Sequence, residues 1–254
     1  MYNLPSIFLQ LNLAWVLLVA SFTAAQFVTG CQDYCGNISI PYPFGTSKEC
    51  YVEEHFLLRL AKFPISYTRN KFTAVGCDSY AVISGSQGQK YDTGCLSLCD
   101  NINNVINGSC SGIGCCQTSI PKRVRSFYIS VRSYDNHTLL WNFNPCTYAF
   151  VAEEAAYNFS SLDLANLQNR TMFPVVLDWS VGNQTCAEAK NNLTSFACKA
   201  NGDYYDFHNG PGYRCNCSQG YEENPYLPNG CIGNHNCVES FQFLPNVDAM
   251  IYML

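Results

Sequence analysis

Sixteen cysteines, all from Cys31 onward, constrain this chain more than any other feature. Reducing compartments rarely hold so many thiols without a metal, so the choice lies between disulfides and a metal site. Zinc sites favour paired Cys-x-x-Cys spacings. None occurs here: three residues separate Cys31 from Cys35 and Cys95 from Cys99, while Cys115 and Cys116 are adjacent. Disulfides formed in an oxidising compartment are the expected chemistry. Cys115 and Cys116 should not bridge each other, because disulfide geometry strains between neighbours; bonded to two different partners, they would pin two strands to one point. The cysteines are unevenly spread. Cys31 to Cys116 holds nine, Thr118 to Thr185 holds only Cys146, and Cys186 to Cys237 holds six. Dense flanks of this kind need staples, because small modules bury too little apolar surface alone.

Two further features point to export. Leu11–Ala25 holds an apolar core, Ala14–Ala20, too short to span a bilayer comfortably, followed by the small residues Ala24 and Ala25. That is the shape of a secretory signal peptide cleaved near Ala25 or Gln26. N-glycosylation sequons occur at Asn37, Asn107, Asn136, Asn158, Asn169, Asn183, Asn192 and Asn216. A single Asn-x-Ser/Thr arises readily by chance; eight in one chain do not. Asn216 stands apart, since it lies between Cys215 and Cys217, where access is expected to be poor. The net charge of −5 argues against nucleic acid as a partner. No stretch after residue 25 is long and apolar enough to be read as a transmembrane helix.

The hydrophobic pattern is mainly β, in small disulfide-rich modules. Ser126–Tyr134 alternates, with Phe127, Ile129 and Val131 on one face and Tyr128, Ser130 and Arg132 on the other. Leu139–Phe143, Tyr148–Ala152 and Val175–Val181 read as further strands. Asn107–Gly108 and Asp135–Asn136 are turn signals. One helix is predicted over Cys186–Phe196, with Thr185 as N-cap and Glu188 completing a capping box.

Three stretches together resemble one family. Cys35-Gly-Asn-Ile-Ser-Ile-Pro-Tyr-Pro-Phe-Gly45 is similar to the opening of the galacturonan-binding module of plant wall-associated receptor kinases. Gly114-Cys-Cys-Gln117, with Ile120-Pro121, resembles that family's next signature. Tyr213–Tyr221 through Asn224-Pro-Tyr-Leu227 to Cys231 resembles its EGF-like segment. The resemblance runs in order over about residues 31–233. It implies a signal peptide over 1–25, a Cys-rich galacturonan-binding-type module over 26–117, a β-rich wall-associated-kinase-type module over 118–185, an EGF-like segment over 186–233 and a divergent tail over 234–254. It also implies the bridges Cys198–Cys215 and Cys217–Cys231, and leaves Cys186 without its usual partner, because Tyr204 stands where the family has a cysteine. Leu60 likewise replaces an expected cysteine, and a segment of the first module is missing. No HRD or DFG kinase motif occurs, and the chain reads as a truncated or alternatively spliced relative of the receptor's outer half.

The function that the resemblance implies is binding of pectin, the galacturonate polymer of plant cell walls, by a secreted protein of the cell wall whose full-length relatives sit in the plasma membrane. A polyanionic ligand needs a cationic face. Lys122, Arg123 and Arg125 form the tightest basic run, and Arg59, Lys62, Arg69 and Lys71 a looser set. Arg pairs bidentately with carboxylates, which repeated uronates present in a row. Tyr42, Tyr67 and Tyr128 are candidates for stacking on sugar faces, and the same charges also fit an ordinary solvated strand. The alternative function is a soluble interaction protein or decoy that pairs with receptor ectodomains or secreted peptides. No cofactor and no metal is expected: Ile232–Cys237 lacks the acids of a calcium-binding repeat, and His55, His137, His208 and His235 stand alone. No catalytic residues are assigned. Gly108-Ser-Cys-Ser-Gly112 mimics a nucleophile elbow around Cys110, but a bridged cysteine is no thiolate.

Overall fold

The computed structural model describes residues 63–85 and 90–233, together with positions 34–35, 38–39, 44, 47–48, 50–51, 56 and 249–253. Its strands in chain order are β1 (Tyr34–Cys35), β2 (Ile38–Ser39), β3 (Asn70–Val75), β4 (Asp78–Gly85), β5 (Asp92–Leu98), β6 (Cys115–Ser119), β7 (Phe127–Ser133), β8 (Tyr148–Glu153), β9 (Phe173–Leu177), β10 (Gly202–Asp206), β11 (Tyr213–Cys217), β12 (Tyr221–Glu222), β13 (Ile232–Gly233) and β14 (Ala249–Met253). The described residues also include two short α-helices, α1 (Asp163–Asn166) and α2 (Cys186–Lys190). The protein is a mainly β, disulfide-rich fold. Two antiparallel three-stranded sheets dominate, in the orders β6-β3-β8 and β5-β4-β7.

A tight corner joins the sheets. Strand β3 ends at Val75 and β4 starts at Asp78, with Gly76 between; a Cβ at Gly76 would stand 1.9 Å from the Ser79 hydroxyl, so only glycine fits. Three disulfides then lock the corner. Cys77–Cys99 ties the start of β4 to the end of β5, Cys95–Cys116 ties β5 to β6 and so one sheet to the other, and Cys110–Cys115 closes the loop before β6. Adjacent residues on a strand point to opposite faces. Cys115 and Cys116 therefore reach different partners, as expected, but only Cys116 pins a second strand; Cys115 bonds the loop residue Cys110. Cys110 is bridged, and the apparent nucleophile elbow is a structural loop.

One buried cluster runs through Phe72, Ile83, Val124, Val175, Trp179, Phe196 and Tyr213 to Tyr226. A second gathers Val75, Tyr157, Phe159, Leu164 and Leu167. Both three-stranded sheets take strands from either side of the 117/118 position, which falls inside β6. Buried asparagines stitch distant segments together. Asn70, on β3, donates to Ser66 O (2.7 Å) and Val176 O (2.8 Å) and accepts from Val176 N (2.9 Å). The Oδ1 of Asn144 accepts from Cys77 N at 2.6 Å.

Strand β7 lies where the alternation places it, and strand β8 covers the segment read as a strand over Tyr148–Ala152. The segment Leu139–Phe143 does not form a strand. It is a run of turns, with Phe143 N and Asn144 N both bonded to Leu140 O, Leu140 buried, and Leu139 and Trp141 90% and 62% exposed. One inward side chain is a turn's pattern, and the apolar content misleads. Strand β9 ends at Leu177 and does not continue to Val181, which makes only an isolated bridge to Tyr213. Helix α2 starts as predicted: Thr185 accepts from Glu188 N and the Glu188 carboxylate accepts from Thr185 N, the reciprocal capping box. It stops at Lys190 and does not reach Phe196. Asn192-Leu-Thr-Ser gives no further periodic burial, and Phe196 stacks on Tyr213 instead.

The C-terminal part has Cys198–Cys215 and Cys217–Cys231, the two pairs that the resemblance implies. They flank the β10–β11 hairpin and the loop closed by β12 and β13. Gly230, at φ 65, lies so close to residue 200 that a Cβ would stand 2.2 Å from Ala200 O. Cys186 is a free, buried thiol and Cys146 a free, exposed one. The residues of the expected signal peptide lie outside the described residues.

Candidate functional site

The basic run sits on the loop between β6 and β7, and buried groups set its shape. Val124 is fully buried, and its carbonyl accepts from Ile65 N at 2.7 Å, so the loop lies against the segment before β3. Arg123 has a left-handed backbone, φ 65. Its N–H donates to Oδ1 of Asn209 at 2.7 Å, while Nδ2 of Asn209 donates to Ile65 O (2.9 Å) and Asp178 Oδ2 (2.8 Å). Asn209 is 1% exposed and so joins four parts of the chain from inside. It fixes the backbone from which Lys122, Arg123 and Arg125 project into solvent.

Around that loop the predicted cations divide into two groups. Lys122 Nζ lies 4.9 Å from the centroid of the Tyr67 ring, a cation–π contact on a half-buried aromatic. Among the described residues Lys122, Arg123 and Arg125 have no ion pair. Arg69 and Lys71 are engaged. Arg69 pairs with the buried Glu153, and Lys71 lies 3.8 Å from Glu154 and 3.4 Å from Ser119 Oγ. Their charge is largely matched within the fold. Tyr128, on β7 three residues after Arg125, is 71% exposed. Arg59, Lys62, Tyr42 and Asn37 lie outside the described residues. Phe44, from the proline-rich opening, packs edge-on against Trp179 at 4.8 Å, a packing role.

Two arginines that the sequence reading did not single out also meet aromatic rings. Arg214 lies over Trp179 and Phe207, donates to Trp179 O, and faces Asp178 at 3.8 Å. It is half-buried and braces β11 against the 178–181 segment. Arg170 lies over Phe173 (4.7 Å) and Tyr157, and borders a cavity of about 300 Å³ with Phe127, Ile129, Phe150, Leu167 and Phe173. Neither carried a signal in the sequence, because each depends on rings brought from elsewhere.

The candidate glycosylation residues Asn107, Asn136, Asn158, Asn169, Asn183 and Asn192 are all exposed. Asn216 is exposed as well, on β11, and the poor access expected from its flanking cysteines is not found. Neighbours on a strand face opposite ways, so bridges at Cys215 and Cys217 leave the side chain between them open. No group of three or more His, Cys, Asp or Glu that could hold a metal occurs among the described residues. No helix among them is long and apolar enough to cross a membrane.

These features define a disulfide-stapled β module with a cationic loop that has no ion pair among the described residues. Residues 107–187 match the family model described as wall-associated kinase. The chain is 37% identical to wall-associated receptor kinase 2 of Arabidopsis thaliana, over 89% of the chain and 38% of that relative. It is 35% identical to wall-associated receptor kinase 5 and 36% identical to wall-associated receptor kinase 3 of the same plant, over 87% and 88% of the chain and 37% and 39% of those relatives. The chain is a wall-associated receptor-kinase-like module, and it spans under two-fifths of the length of these relatives. No solved structure matches it.

Proposed function

We propose that the module is an exported, N-glycosylated protein of the cell wall that binds the galacturonate polymer of pectin and carries no kinase activity of its own. The reading is supported by the loop of Lys122, Arg123 and Arg125: three exposed cations with no ion pair among the described residues, on a backbone held by Asn209, beside Tyr67. Bidentate guanidinium–carboxylate pairs and a ring for the sugar face are what a polyuronate requires. Arg59 and Tyr42 remain in the proposed set. Arg69 and Lys71 come second, because Glu153 and Glu154 already hold them.

The test is retention of the secreted protein on polygalacturonate, with a neutral glucan as control. Binding should weaken with salt, since exposed charges are screened within about 10 Å at 0.1 M. The double change Arg123→Glu and Arg125→Glu should abolish retention while circular dichroism stays unchanged. Unchanged retention by that variant would move the site away from this loop, and no retention by the wild type would refute pectin binding.

A further inference from the structure

Of the eight sequons, one carries an aromatic residue two positions before its asparagine and a threonine two positions after it: Tyr134-Asp135-Asn136-His137-Thr138. This segment is the turn that follows β7, and it is held from within. The Asp78 carboxylate accepts from Tyr134 N (2.9 Å), Asp135 N (2.9 Å), His137 N (3.2 Å) and the Ser133 hydroxyl. Asn136 and His137 both have left-handed backbone, φ 53 and 58, a pair of conformations that reverses a chain tightly. His137 turns inward, 9% exposed, with Nε2 3.0 Å from Thr147 Oγ1. Its neighbour Asn136 is exposed.

The surface beside this turn is open and mostly apolar, with the exposed Arg132 of β7 opposite Tyr80. Tyr134 is 58% exposed, and its ring leans on that of Tyr80 at 6.4 Å. In the register of the sheet, Tyr80 stands opposite Leu96 and Asp78 opposite Leu98, so these residues share one face. Tyr80, Leu96 and Leu98 are 43%, 43% and 48% exposed. Aromatic and aliphatic side chains exposed side by side call for a cover, and Asn136, two residues beyond Tyr134, is an attachment point for one.

We propose that an N-glycan on Asn136 folds back over Tyr134, and that its first N-acetylglucosamine stacks on that ring as the cover of the β5-β4-β7 sheet. The inference rests on the reading of the chain as an exported glycoprotein. A β-linked N-acetylglucosamine presents axial C–H groups on one side of its ring. Those hydrogens carry partial positive charge and meet the negative face of the tyrosine quadrupole, while both surfaces leave water. The hydrogen bonds to Asp78 hold the turn without help from the sugar, so little ordering is lost on stacking. The residue two before the asparagine is not aromatic in any of the other seven sequons. The glycan at this site is thus part of the packing, where the others are solvated.

The experiment is a double-mutant cycle on the full chain secreted from a plant host, with occupancy at Asn136 read by peptide mass. Asn136→Asp removes the attachment point and tolerates the left-handed backbone as asparagine does. In the glycosylated protein Tyr134→Ala should lower the melting temperature by about 2–4 °C. In the Asn136→Asp background the same change should shift it by less than about 1 °C, because the ring then has nothing over it. Trimming the glycan to its first sugar should keep the difference. Hydrogen exchange over 127–138 should slow only when both Tyr134 and the sugar are present. Equal effects of Tyr134→Ala in both backgrounds would overturn the stacking and leave the glycoprotein reading intact. Glycans on other sequons with Asn136 unmodified would do the same. No glycan on any sequon would overturn the export reading, and this inference with it.

Discussion

The replacement Asp78→Ala tests how the turn after β7 is held. Asp78 is 5% exposed and accepts from three backbone N–H groups and one hydroxyl. Hydrogen bonds to a charged acceptor contribute about 1.5–3 kcal/mol each. They do not add in full here, because Tyr134 and Asp135 are exposed and water replaces the lost acceptor for them. His137 is buried, and its N–H keeps only the Ser133 hydroxyl at 3.2 Å. A loss of about 2–4 kcal/mol is expected, read by urea denaturation at pH 7 with the disulfides intact. The pH dependence gives a second readout. Burial acts to raise the Asp78 pKa, but the Ser133 hydroxyl and the amides of Asp135, His137 and Tyr134 outweigh it, and the folded value lies below the ordinary one. The contribution is therefore complete above the unfolded value of about 3.9 and is lost as pH falls through the folded value. Asp78→Ala should reduce the acid-side fall in stability. A variant within about 0.5 kcal/mol of wild type at pH 7, with the same acid limb, would refute the claim that this carboxylate holds the turn.

Asn70→Ala should destabilise by about 2–3 kcal/mol in the same assay, since it takes the side-chain acceptor from the buried Val176 N–H and leaves Ser66 O and Val176 O with their backbone donors alone; a loss under about 1 kcal/mol would contradict that. At pH 8 iodoacetamide should label Cys146 in the native protein and Cys186 only after unfolding. Burial first, then hydrogen bonding to and charge on Asp206, push the Cys186 thiol up to about 11. Rapid native labelling of Cys186 would be the contrary result. Tyr204→Cys should give that thiol a partner and add about 2–4 kcal/mol, visible in a non-reducing map as a peptide in which Cys186 is bridged to the introduced thiol. A map in which Cys186 stays free would rule the pairing out.

What the sequence alone determined was local or chemical. The capping box at Thr185 and Glu188 was legible because both partners lie within one turn of helix, so no distant residue has a say. The alternation of β7 was legible because a period of two records which face is inside. The separate partners of Cys115 and Cys116 followed from covalent geometry and strand pleating. The family resemblance carried the Cys198–Cys215 and Cys217–Cys231 pairs, which spacing alone does not fix.

Only the tertiary structure decided the rest. Leu139–Phe143 has strand-like composition, but burial of Leu140 alone and two hydrogen bonds to its carbonyl make it a turn. The cations of the basic run look alike in sequence; Glu153 and Glu154 set Arg69 and Lys71 apart from Lys122, Arg123 and Arg125. The residues that hold the architecture are single polar side chains whose partners lie far along the chain. Asp78 reaches 57 residues ahead to Asp135, Asn70 reaches 106 to Val176, and Asn209 reaches back 144 to Ile65. An asparagine or aspartate carries no periodicity and no motif, and its worth appears only when folding removes it from water and leaves it one set of partners.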